Sequence, residues 1–224
     1  MVFLLVLKLS GGKCKYMEKI KNIIFDLGGV IINLDMALTI KGFEKLGIVN
    51  FESTYNQLAQ TPLFDQFDKG LISGTEFFNS IKKQFNLTQP ILELEKIWNS
   101  MLLDFPSSRL NYLLDYKKNY RTFLLSNTNS THIKAFEKIL FDSHSIKNLS
   151  TFFEKDYYSC RIKMRKPDAE IFEYVLKENN LMPEETLFID DTIIHLKGAE
   201  RVGINTVLLP KGEEFKKILD KILN

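Results

Sequence analysis

The sequence predicts an α/β fold: a Rossmann-like parallel sheet with helices on both faces, interrupted by an inserted helical domain. Three observations lead there. Short apolar runs stop at polar clusters three times: Ile23-Ile24-Phe25 before Asp26, Arg121-Thr122-Phe123-Leu124-Leu125 before Ser126-Asn127, and Thr186-Leu187-Phe188-Ile189 before Asp190-Asp191. Such continuous runs are the signature of strands buried on both faces. Between them lie stretches with apolar residues at helical spacing, and alternating strands and helices imply a parallel sheet. From about Met36 to Phe105 the strand runs cease and phenylalanines recur at helical intervals.

Taken in order, residues 1–16 read as an N-terminal extension, because Met17 opens the polar lead-in Glu18-Lys19-Ile20-Lys21-Asn22. Val2–Leu7 is apolar but shorter than a signal sequence requires, with no preceding basic residue and no small-residue cleavage site. The core is expected to comprise residues 17–35 and 106–224, with residues 36–105 as the insertion. Within the insertion, Ser73-Gly74-Thr75-Glu76 has capping-box form and puts Phe77, Phe78, Ile81 and Phe85 on one helical face. The ordinary reading of that stripe is a core packed on itself. In the second half, Asp168–Asn180 carries Ile171, Phe172, Val175 and Leu176 at helical spacing, with Pro167 suited to the first turn. Thr206–Leu209, after a helix closed by Gly203, is expected as a fourth strand.

Bulk properties narrow the function. The chain has 224 residues, 45% hydrophobic and 26% charged, enough for a sizeable core. Thirty basic against 28 acidic residues leave a net charge of +2 with no long basic run, so no nucleic-acid partner is expected. No stretch approaches the roughly 20 apolar residues of a membrane span. Cys14 and Cys160 have no neighbours at metal-ligand spacing and suit incidental thiols in a reducing, cytoplasmic setting.

In parallel sheets ligands bind beyond the carboxyl ends of the strands, which gathers Asp26, Ser126, Asp190 and Asp191 on one rim. The segments Phe25-Asp26-Leu27-Gly28-Gly29-Val30, Leu125-Ser126-Asn127-Thr128-Asn129, Arg165-Lys166-Pro167-Asp168 and Phe188-Ile189-Asp190-Asp191 resemble, in order and spacing, the four motifs of the haloacid dehalogenase superfamily. The resemblance spans Ile23 to Leu209, and the insertion resembles the helical cap of many members. It is nearest the subgroup with Asp-Leu-Gly in the first motif, which includes sugar-phosphate phosphatases.

That resemblance implies a Mg2+-dependent phosphatase acting on a small phosphorylated metabolite through an aspartyl phosphate on Asp26. Asp26, Asp190, Asp191 and the Gly28 carbonyl would hold the metal, with Asp191 the more direct ligand of the pair. Lys166 would contact both Asp26 and the phosphoryl group, while Ser126, Asn127 and the backbone at Gly28 and Gly29 would cradle it. The chemistry agrees: a carboxylate attacks an anionic monoester only if a cation neutralises both, and magnesium needs only a few carboxylates. Crowded carboxylates also need the countercharge that Lys166 supplies.

One departure matters. Most phosphatases of the superfamily carry a second Asp two positions after the nucleophile to protonate the leaving alcohol, and here that position is Gly28. General acid help is worth about 10²–10⁴ in rate. The expectation is a leaving group that departs unaided, such as that of a sugar 1-phosphate or aryl phosphate. Asp35 reads as a structural carboxylate rather than a relay acid, and His132 as structural, although it lies near the second motif. A 2-haloacid dehalogenase and a catalytically silent phospholigand-binding protein are the competing readings.

Overall fold

The computed structural model describes residues 20–53 and 61–223, so the extension at 1–16, Met17 and Cys14 lie outside the described residues. Five parallel strands form one sheet: β1 (Asn22–Phe25), β2 (Arg121–Ser126), β3 (Lys155–Tyr158), β4 (Thr186–Asp190) and β5 (Asn205–Leu208). Their order across the sheet is β3-β2-β1-β4-β5. Phe25 pairs with Leu124 on one side and Ile189 on the other, so the chain ends of β1, β2 and β4 reach the rim together.

Alternation along the strands builds two apolar layers. Ile23, Phe25, Leu124, Leu187 and Ile189 face one side, where they meet α5 (Ser107–Lys117), α6 (Ser130–His144) and α9 (Phe215–Leu223). Ile24, Phe123, Leu125 and Phe188 face the other, covered by α7 (Ala169–Asn179) and α8 (Ile193–Glu200). Burial on both faces is what makes these strands uniformly apolar. β3 was not expected from the sequence: it is a short edge strand, Lys-Asp-Tyr-Tyr, whose first half is solvated. Asp168 is the N-cap of α7, so Pro167 stands one residue outside the helix rather than in its first turn, and the Lys166–Pro167 peptide is cis.

Between β1 and α5 the described chain is helical: α1 (Met36–Lys45), α2 (Pro62–Asp68), α3 (Gly74–Phe85) and α4 (Ile91–Asn99). The capping box forms, with the Glu76 backbone N–H donating to Ser73 Oγ and the Ser73 N–H to Glu76 Oε2. Phe77 and Phe78 are fully buried in a third apolar cluster with Phe43, Phe67, Leu94 and Trp98. The stripe is therefore a core, as its spacing suggested. Asp35 caps α1, its carboxylate accepting from the Ala37 N–H at 3.0 Å.

The insertion leaves and re-enters the core through two paired segments. The Asn33 N–H donates to Asp104 O, the Leu103 N–H to Asn33 O and the Asp35 N–H to Met101 O, closing an antiparallel bridge at Leu34 and Leu102. Elsewhere it rests on the core at Gly70, whose φ of +61° and lack of Cβ let α2 turn against the Cys160 carbonyl. Among the described residues no helix is long and apolar enough to cross a membrane.

Candidate active site

The rim gathers its polar and charged residues from three strand ends and one loop. Asp26 follows β1 directly, its N–H donating to Ile189 O at 2.9 Å, and stays 7% exposed. Lys166, fully buried, places Nζ 2.7 Å from Asp26 Oδ1 and 2.7 Å from Asp190 Oδ2. Asn127 holds that lysine in place: its Nδ2 donates to Lys166 O at 2.8 Å and its Oδ1 accepts from the Lys166 N–H at 2.9 Å. Both ends of the Asn127 amide are thus engaged with the backbone of Lys166. Ser159 ties the loops together, bridging the N–H and carbonyl of Thr128 through its hydroxyl at 2.9 Å each.

The acidic pair divides its duties. Asp190 is wholly buried, with Oδ1 accepting from the Thr192 N–H at 2.7 Å and Oδ2 meeting Lys166 and, at 3.0 Å, His195 Nδ1. Asp191 makes no contact with Lys166 at hydrogen-bond distance; it accepts from Thr192 Oγ1 at 2.9 Å. One ligand oxygen from each of Asp26, Asp190 and Asp191 lies within 4.8 Å of the others. Gly29, at φ +70°, lets the loop after β1 close on Asp191, because a Cβ there would collide with Asp191 Oδ2. Its N–H donates to Ile32 O at 3.0 Å within that loop.

Electrostatics follow from this crowding. Burial, then the neighbouring Asp190 charge, push Asp26 up to about 7, only partly offset by Lys166. Burial also favours the protonated form of Asp190, but Lys166 and His195 outweigh it and hold that carboxyl well below its usual range. Desolvation raises Asp191. Lys166 stays protonated because Asp190 and Asp26 overcome its own burial. Three neighbouring carboxylates with one ammonium among their partners leave residual negative charge at the rim, which suits a hard divalent cation bound through oxygen.

A cavity of about 210 Å³ lies between rim and insertion, reached by the chain on either side of Asp26 and Lys166 through Leu27, Gly28 and Arg165. Gly28, Ser126 and Asn127 line its floor, and Phe64, Asp68, Trp98, His132 and Arg165 form much of its wall. His132 stacks on Trp98 with ring centroids 5.4 Å apart and Nδ1 2.8 Å from Asn99 Oδ1; burial pushes it down to about 3. It therefore faces the pocket as neutral imidazole, a place the sequence offered only weakly. Nothing in the sequence points to Asp68, and Arg165 enters only as the residue before Lys166, since the two meet only through the fold. Nor does the sequence single out His195, whose sole signal is its place in the first turn after the acidic pair.

A family model described as haloacid dehalogenase-like hydrolase matches residues 20–203. The chain is 30% identical over 92% of its length, and 99% of the relative's, to D-ribitol-5-phosphate phosphatase of Bacteroides thetaiotaomicron. It is 25% identical to glyceraldehyde 3-phosphate phosphatase of Pyrococcus furiosus, covering 92% of this chain and 90% of that protein. Among solved structures, a wild-type haloacid dehalogenase family enzyme of Bacteroides thetaiotaomicron in complex with magnesium and inorganic phosphate superposes with a TM-score of 0.80. It is 38% identical, over 89% of this chain and 98% of that one.

Proposed function

The chain belongs to the haloacid dehalogenase-like hydrolases, and we propose that it hydrolyses the monoester of a small polyol or sugar phosphate through a phosphoryl group carried on Asp26. The observation that carries this reading is the fully buried Lys166 ammonium, 2.7 Å from both Asp26 and Asp190, with Leu27 and Gly28 just after Asp26 and Arg165 just before Lys166 lining the cavity. Burying that cation is costly, and the two carboxylates offset the cost. The ammonium holds the attacking carboxylate in one orientation and presents positive charge where phosphoryl oxygens would lie.

The donor set fits magnesium: hard carboxylate oxygens, close together and short of countercharge. Asp26, Asp191 and the Gly28 carbonyl would hold the ion, with Asp190 behind them, and it would supply charge neutralisation to nucleophile and substrate. The rest falls to the chain itself. Asp26 attacks phosphorus, Lys166 and the Ser126 hydroxyl stabilise the phosphoryl oxygens, and Asn127 positions Lys166. Relatives named for a polyol phosphate and a triose phosphate support a substrate of that size, as does the small cavity.

The test is phosphate release over a panel of polyol and sugar phosphates with magnesium, beside Asp26→Asn. Release from the unaltered protein, abolished by a chelator and by the substitution, is expected. Silence across the panel supports a binding protein, while chelator-insensitive hydrolysis of 2-haloacids supports the dehalogenase reading.

A further inference from the structure

The vacancy at Gly28 leaves a primary alkoxide with no evident proton donor on the rim, yet the cavity wall offers one. Three titratable side chains line the cavity: Arg165, His132 and Asp68. Arg165 does not release a proton in a protein. His132 is neutral near physiological pH, with Nδ1 committed to Asn99. Asp68 differs from both. It ends α2 on the insertion side, its side chain is 22% exposed, and among the described residues it makes no hydrogen bond. Its nearest charge is Arg165 Nη1 at a loose 3.5 Å.

We propose that Asp68 donates the leaving-group proton from the insertion, filling the role that Gly28 cannot. As the Asp26 oxygen bonds to phosphorus and the ester P–O bond breaks, the Asp68 carboxyl gives its proton to the departing alkoxide. The resulting carboxylate then takes a proton from the water that attacks the phosphoaspartate, and the cycle closes with Asp68 protonated. Desolvation pushes Asp68 up to about 6, against Arg165, which lowers it, and with Asp65, which raises it further. Lys69, bridging Asp65 at 3.1 Å and Asp168 at 3.7 Å, and Lys163, donating to Gly70 O at 3.3 Å, are the other nearby charges. Cys160 lies beneath, its thiol raised by burial.

This rests on the phosphatase reading above, and the experiment separates the two. D-ribitol 5-phosphate and 4-nitrophenyl phosphate serve as a poor and a good leaving group, assayed with magnesium in the unaltered protein and in Asp68→Asn. The expected loss in kcat on the alkyl ester is about 10²–10⁴-fold, shrinking to a few-fold on the aryl ester. That residual aryl turnover also shows the variant is folded. For the unaltered protein on the alkyl ester, kcat should fall as pH rises through about 6, because the acid must be protonated; that limb should vanish in Asp68→Asn. Equal losses on both esters, or an unmoved pH limb, overturn the role of Asp68 alone. Phosphate release from neither ester by the unaltered protein overturns this inference together with the reading beneath it.

Discussion

The floor and the wall of the cavity are built on opposite plans. Buried behind the floor, Lys166 has two partners at 2.7 Å and Asp190 has Thr192, Lys166 and His195. In the wall, Asp68 and Arg165 meet only at 3.5 Å. A charge fixed before substrate arrives costs no reorganisation when negative charge gathers on a phosphoryl group. A side chain left loosely paired is available to a ligand. The contrast fits a division in which the strand ends present fixed charge to the phosphoryl group and the insertion, Asp68 included, faces the group that leaves.

The sharpest way to break that division is at Asp26. Asp26→Asn removes the proposed nucleophile and should lower kcat by about 10⁴-fold or more, while leaving binding of inorganic phosphate measurable by calorimetry. Residual turnover within tenfold of the unaltered protein would move the chemistry off the floor.

The next effect is on stability and belongs to the wall. Phe77 is fully buried against Phe67, with ring centroids 4.1 Å apart, so Phe77→Ala should cost about 3–5 kcal/mol. The chain has a single tryptophan, Trp98, and it lies in that same cluster. Trp98 fluorescence in urea should therefore shift before far-ultraviolet circular dichroism reports loss of the sheet. Coincident transitions would show that insertion and sheet unfold as one unit.

A smaller effect sharpens the floor. Asn127→Ala leaves the Lys166 backbone without two hydrogen bonds, worth about 0.5–1.5 kcal/mol each, and kcat should fall about 10-fold with KM little changed. A raised KM at constant kcat would instead place the Asn127 amide on the substrate, as the motif resemblance implied. The smallest effect is Ser73→Ala, which removes the capping box of α3 and should lower stability by about 1 kcal/mol with kcat unaltered, read by urea titration beside a turnover assay.

The two regions also differ in how far the sequence reveals them. β1, β2 and β4 are legible because each is an apolar run broken by a polar cluster, and Asp26, Ser126 and Asp191 are legible because they sit at those breaks; Lys166, on a loop, is legible only through the motif it resembles. β3 is hidden because an edge strand with a solvated first half, Lys155 and Asp156, has no apolar run to show. The wall is hidden for another reason. Asp68 and Arg165 are 97 residues apart by their numbers and face one another only because the Gly70 turn seats α2 against Cys160. Periodicity reports which face of a helix is buried and says nothing about which distant helix it meets. Gly28 was legible as a missing acid, but a replacement on another element was not, so an acidic leaving group was the expectation open to the sequence.

The paired segments at Asn33–Asp35 and Met101–Asp104 give the insertion a single doorway. Because the outgoing and returning backbones are already hydrogen-bonded neighbours, the core could be joined across Asn33 and Asp104 by a tight turn at little loop-closure cost. The helical module is in that sense exchangeable: another insertion threaded through the same doorway would inherit Asp26, Lys166 and Asp191 intact while replacing Asp68 and the rest of the wall.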